Sequence, residues 1–149
     1  MRKLLLITIL TTLLAGCTGK REFTAYNSID NTGWAYSMPL DYTIELPDSM
    51  ATGLLSLSLT HDNNYPYSNL WLEVSYPDGE QHCKDTVNIE MCDVYGRWYG
   101  KGLPGHYQLT HPLINKPITL HDSDVVTVRH IMRVDTLHNI SQAGVGFAY

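Results

Sequence analysis

What this chain has little of narrows its function first. Its 149 residues hold 10 Lys and Arg against 15 Asp and Glu. Nucleic-acid binding is disfavoured, because it requires a basic face to neutralise phosphates. Cysteine occurs three times and never as CxxC, and HExxH is absent. The seven histidines, His61, His82, His106, His111, His121, His130 and His138, are spaced so that no pair falls on one evident strand face. No metal and no other cofactor is therefore expected. His130 does fall on the apolar side of its strand, where a hydrogen-bonded, semi-buried histidine is a commoner outcome than a ligand. Beyond the N-terminal segment no apolar stripe of helical period appears, which argues against βαβ units and a parallel sheet.

Long apolar runs are also scarce. The one sustained run, residues 4–14, is too short for the ~20 residues that cross a bilayer. Arg2 and Lys3 precede it and Ala15, Gly16 and Cys17 follow. A basic end, a short apolar stretch and small residues before a cut make a secretory signal, and a cysteine just after the small residues makes it a lipoprotein signal. Residues 1–16 are expected to be removed and the Cys17 thiol to carry the lipid, a membrane anchor whose acyl chains each contribute ~0.8 kcal/mol per buried methylene. Removal leaves 133 residues with 8 basic and 15 acidic side chains, a formal balance of −7. That length suits one domain, expected over residues 23–149 behind a small, polar tether at 17–22. Residues 18–22 lack an acidic run of the kind expected for surface export, which points to an outer-membrane anchor facing the periplasm.

The dominant signal beyond the tether is alternation. Leu40, Tyr42, Ile44 and Leu46 are spaced by two, as are Leu55, Leu57 and Leu59, Leu70, Leu72, Val74 and Tyr76, Val87, Ile89 and Met91, Val126, Val128, His130 and Met132, and Val145, Phe147 and Tyr149. Each set belongs on one face of a half-buried strand. Turn signals separate them, among them Pro47-Asp48-Ser49, Asp62-Asn63-Asn64, Pro77-Asp78-Gly79 and Asp122-Ser123-Asp124. About seven to nine antiparallel strands in this length predict an all-β sandwich, with an open barrel as the alternative. Cys83 and Cys92 flank one extended segment, so nine steps of ~3.3 Å separate them by up to ~30 Å. A disulfide, which needs Cα atoms within ~7 Å, requires the chain to turn back near Lys84.

Two segments stand out. If Leu70, Leu72 and Val74 face the core, Trp71 points away from it with Glu73 and Ser75. An exposed ring there is a contact site, and a ring covered by a neighbouring loop is packing, the commoner fate of tryptophan. The second segment, residues 93–102, interleaves Tyr95, Trp98 and Tyr99 with Gly96, Gly100 and Gly102. Its glycines predict positive φ or close backbone approach. The spacing is not that of a phosphate loop and no helix follows.

Together with the lipoprotein signal, the run Tyr65-Pro66-Tyr67-Ser68-Asn69-Leu70, the Asp85-Thr86 pair, the Asp93, Gly96, Trp98, Gly100 and Gly102 loop, and the ending from Arg133 to Ile140 with Val145-Gly146-Phe147 resemble the GldH gliding motility lipoproteins of Bacteroidetes. The resemblance implies a cell-envelope lipoprotein that supports gliding and the linked protein-export machinery, with no catalytic residues to carry over.

Catalytic signatures are missing as well. There is no nucleophile elbow, and Ser123 between Asp122 and Asp124 reads as a turn. No enzyme is expected. Tyr67, Trp71, Trp98 and Tyr99 are the candidate contact residues for an envelope protein partner, and the same rings stacked in one groove would instead bind an envelope glycan. Asp48-Ser49-Met50, Asp85-Thr86-Val87 and Asp135-Thr136-Leu137 each run acid, hydroxyl, apolar. The pattern resembles O-glycosylation sites of exported Bacteroidetes proteins, making Ser49, Thr86 and Thr136 candidates. Hydroxyl residues that hydrogen-bond their own turns would look the same.

Overall fold

The computed structural model describes residues 20–149; the signal segment and Cys17 lie outside the described residues. Within them there are twelve strands and no helix: β1 (Glu22–Ser28), β2 (Trp34–Ala35), β3 (Leu40–Thr43), β4 (Met50–His61), β5 (Asn69–Asp78), β6 (Gln81–Glu90), β7 (Lys101–Leu103), β8 (His106–Pro112), β9 (Ile118–His121), β10 (Val125–His130), β11 (Thr136–Leu137) and β12 (Ile140–Ala148). All the pairings are antiparallel. One sheet runs β1-β12-β4-β8-β7 with β9 also on β4, a second runs β3-β10-β5-β6, and β11-β2 forms a small third.

The alternating positions become the facing sides of the two large sheets. Leu55, Leu57 and Leu59 of β4 and Val145 and Phe147 of β12 are buried, as are Leu70, Leu72, Val74 and Tyr76 of β5 and Val126 and Val128 of β10. They belong to one core, the arrangement of a β-sandwich. Tyr42 ties the two large sheets together: its hydroxyl donates to the Ala143 carbonyl at 2.9 Å, and burial pushes its pKa up to about 12.

The strand count exceeds the seven to nine expected because several strands carry little alternation of their own. Elements β2 and β11 are two residues long, too short to show a period. Strands β8 and β9 follow one another along β4, with His61↔Tyr107 to Ser56↔Pro112 and then Gly53↔Ile118 to Met50↔His121. Residues 113–117 interrupt what is otherwise one long strand. In β6 the chain runs straight through Lys84, and Cys83 and Cys92 are both free thiols.

Candidate functional site

The register of β5 decides where Trp71 goes. Leu70 and Leu72 are fully buried on either side of it, so Trp71 stands on the outer face of its sheet, 42% exposed. The strip after β10 runs beside it: the Ile131 N–H donates to the Trp71 carbonyl at 2.9 Å, and the Trp71 N–H reaches the Met132 sulfur at 3.3 Å. Tyr67, Trp71, Ile131, Met132, Arg133 and Val134 line a shallow groove of about 600 Å³. The ring is not covered by a loop; it forms one wall of this groove.

Tyr67 comes to the groove from the loop before β5. The Tyr65 hydroxyl donates to the Asn69 carbonyl at 3.0 Å, which pins the loop between β4 and β5, and the Tyr65 ring meets Tyr67 edge-on at 5.7 Å. Tyr65 is itself buried, and burial raises its hydroxyl pKa far above the usual tyrosine value. The same cluster takes in Trp98, whose ring centroid lies 4.8 Å from that of His61 and 6.3 Å from that of Tyr65. Trp98 is thus half-buried against the core, a packing residue.

The loop that delivers Trp98 is organised by one carboxylate. Asp93 Oδ1 accepts the N–H groups of Tyr95 and Arg97, both at 2.9 Å, and Oδ2 accepts Arg97 Nε at 2.7 Å. These bonds, the Arg97 N–H first, hold its pKa below the usual carboxylate value. Gly96 turns the chain at φ 77°, and Trp98 bridges back to Cys92. Gly102 has φ 153° and lies so close to β8 that a Cβ there would sit 2.1 Å from the His106 carbonyl oxygen. Tyr99 is 40% exposed but belongs to a separate polar depression with Asn69, Asn88 and Glu90. The four contact candidates therefore divide: Tyr67 and Trp71 share a groove, Tyr99 lies next to it, and Trp98 is half-buried, packed against His61.

The sequence model of the GldH lipoprotein family matches residues 21–146. The chain belongs to the GldH lipoprotein family. It is 30% identical over 92 residues to a gliding motility lipoprotein GldH homolog of Christiangramia forsetii, covering 60% of this chain and 55% of that protein. It is 31% identical over 91 residues to the gliding motility lipoprotein GldH of Flavobacterium johnsoniae, covering 60% and 57%. The aligned part of the chain thus spans a little over half the length of these relatives.

The residues by which the chain resembles GldH proteins have structural work to do here. Asp93, Gly96 and Gly102 shape the loop described above. Asp85 accepts the Tyr76 hydroxyl, while Thr86 beside it is exposed. Ser49 is also exposed and Thr136 is half-buried, its methyl against Gly33. Among the described residues no group of three His, Cys, Asp or Glu side chains is placed to hold a metal ion. His130 differs from the expected hydrogen-bonded, semi-buried residue: it is fully buried and neither ring nitrogen has a hydrogen-bond partner among the described residues. The reason is its neighbours, the rings of Trp34 and Tyr36, which meet it edge-on at 5.5 and 6.0 Å. Burial lowers the pKa of His130 and of His61, the other fully buried histidine. The groove residues that sequence reasoning missed are Ile131, Met132, Arg133 and Val134. Ile131 lies just past a strand, and its parity, opposite to that of Val128 and His130, could have placed it beside Trp71, whereas Met132, Arg133 and Val134 follow in a bend where strand parity gives no signal.

Proposed function

We propose that this chain is a non-catalytic, lipid-anchored envelope protein that acts as an interaction and assembly component of the gliding or linked export machinery. Cys17 carries the lipid, residues 17–22 are the tether, and residues 23–149 form a single domain at the periplasmic side of the outer membrane. The anchor confines the domain to a membrane and so raises its effective concentration near membrane-bound partners. The observation that carries the contact role is the exposure of Trp71 in an apolar groove with Tyr67. Large aromatics in such surroundings are enriched where proteins dock. The packing of the half-buried Trp98 against His61, away from the Trp71 groove, supports this over the glycan-binding alternative, which needs the rings exposed together in one groove.

In-cell crosslinking and pull-down of the lipidated chain, read by mass spectrometry, tests the proposal. Outer-membrane and periplasmic proteins should be enriched with the native chain and lost with Cys17→Ala and with Trp71→Ala. An unchanged partner set in Trp71→Ala removes the groove from the mechanism, and no partner at all removes the assembly role.

The exposure of Ser49 and Thr86 also supports the O-glycosylation reading at those two sites more than at Thr136. The intact mass of the lipoprotein purified from its own host should exceed that of polypeptide plus lipid. A mass without excess rejects all three sites.

A further inference from the structure

The outer face of the β3-β10-β5-β6 sheet sets Trp71 beside two arginines. Register places Arg129 opposite Glu73, and the Ile131 N–H bond to the Trp71 carbonyl carries that pairing two residues further. Because residues opposite one another on paired strands share a face, Arg129 and Ile131 stand on the side from which Glu73 and Trp71 project, and Arg133, in the bend past the strand, lines the groove beside Trp71.

Four cations of the described residues are matched to carboxylates, Arg21 to Asp48, Lys84 to Glu73, Arg97 to Asp93 and Lys116 to Asp78, while Lys20 and Lys101 are in no such pair and lie away from this face. Arg129 and Arg133 take part in none of these pairs. Glu73, the carboxylate opposite Arg129, is held by Lys84 at 3.1 Å. The Arg129 guanidinium instead lies over the Tyr36 ring, 5.4 Å from its centroid, and its buried Nε has no hydrogen-bond partner among the described residues. Arg133 is exposed and lines the Trp71 groove.

A guanidinium stacked on a ring is held in plane, and its parallel N–H donors match the two oxygens of a carboxylate. Little ordering remains to be done on binding, which favours affinity. The chain beyond the signal has a formal balance of −7, so an acidic ligand is repelled by most of the surface and directed to this face. We infer that this face recognises a peptide segment bearing an acidic side chain next to a large apolar one. Arg129 and Arg133 take the carboxylate, and the apolar side chain lies against Trp71, Tyr67 and Met132. The inference rests on the reading of the groove as a protein contact and adds the chemistry of the partner.

The test uses the full lipidated chain in phosphatidylcholine nanodiscs and a fluorescein-labelled peptide, Gly-Glu-Phe-Glu-Leu-Glu-Gly-amide, followed by fluorescence anisotropy at low salt. The peptide should bind, and replacing its three Glu by Gln should weaken binding at least tenfold. Arg129→Gln and Trp71→Ala should each cost a similar factor, and Arg129→Lys should restore only part of the loss, since a point charge lacks the fork. Unchanged circular dichroism shows that the variants are folded. No binding by the native chain, equal binding of the Gln peptide, or indifference to Arg129→Gln overturns the inference. Displacement of the peptide by phosphatidylglycerol vesicles in an Arg129-dependent manner also overturns it, by assigning the face to lipid headgroups. In-cell partners lost with Trp71→Ala but kept with Arg129→Gln leave the docking role standing and reject the acidic ligand.

Discussion

Phe147→Ala is expected to destabilise the protein by about 3–5 kcal/mol, the usual cost of deleting a buried aromatic side chain and leaving a cavity. Phe147 is one of only two phenylalanines in the chain, and it is fully buried. It pairs with Phe23 of β1 and Leu55 of β4 and stacks on Tyr149 at 5.4 Å. No neighbour can fill the space without moving three strands. A loss of this size is a large share of the roughly 5–15 kcal/mol that holds a domain folded. Trp71→Ala, which empties no core space, should cost less than about 1 kcal/mol. Urea unfolding at pH 7.5 checks both. Similar losses for the two variants would mean that Trp71 is part of the core, and the docking proposal would fail with that result.

The second large effect is acid sensitivity. His61 and His130 are fully buried, and burial lowers both pKa values below the ordinary 6.5. Below about pH 6.5 the unfolded chain takes up protons that the folded chain does not. The stability these histidines contribute is therefore fully present above that value and is lost as pH falls toward their folded pKa. While both stay neutral in the fold, the slope approaches about 1.4 kcal/mol per pH unit for each. Asp30, Asp78 and Asp93, also with lowered pKa, act in a separate window. Their contribution persists above 3.8 and is lost only at more acidic pH. Unfolding free energies measured at pH 7.5, 6.5 and 5.5 should thus fall across the lower interval, and His130→Phe should make that fall shallower. An identical profile in His130→Phe would show that His130 is protonated in the fold.

The legible part of the fold was the set of strands with one clean apolar side. Leu55, Leu57 and Leu59, and Leu70, Leu72 and Val74, announce themselves because each strand meets the core on one face and water on the other. Strands β7 and β8 were harder to read: β7 is exposed throughout, and β8 alternates only between exposed and half-buried positions, where the half-buried Tyr107, Leu109 and His111 make no uniformly apolar set. The candidate site divides the same way. Parity correctly turned Trp71 outward, but parity is silent about Trp98, whose place depends on the Asp93 loop folding back onto His61.

The sequence by itself determined the all-β class, the identity of most core residues and membership of the GldH lipoprotein family, because alternation and motif order are local and survive without coordinates. Only the tertiary structure decided which aromatics share a surface, which histidines lose water on every side, and which arginines are left without a carboxylate. Those are properties of pairs brought together from distant parts of the chain, Trp71 with Ile131, Trp98 with His61 and Arg129 with Tyr36, and no spacing in the sequence encodes them.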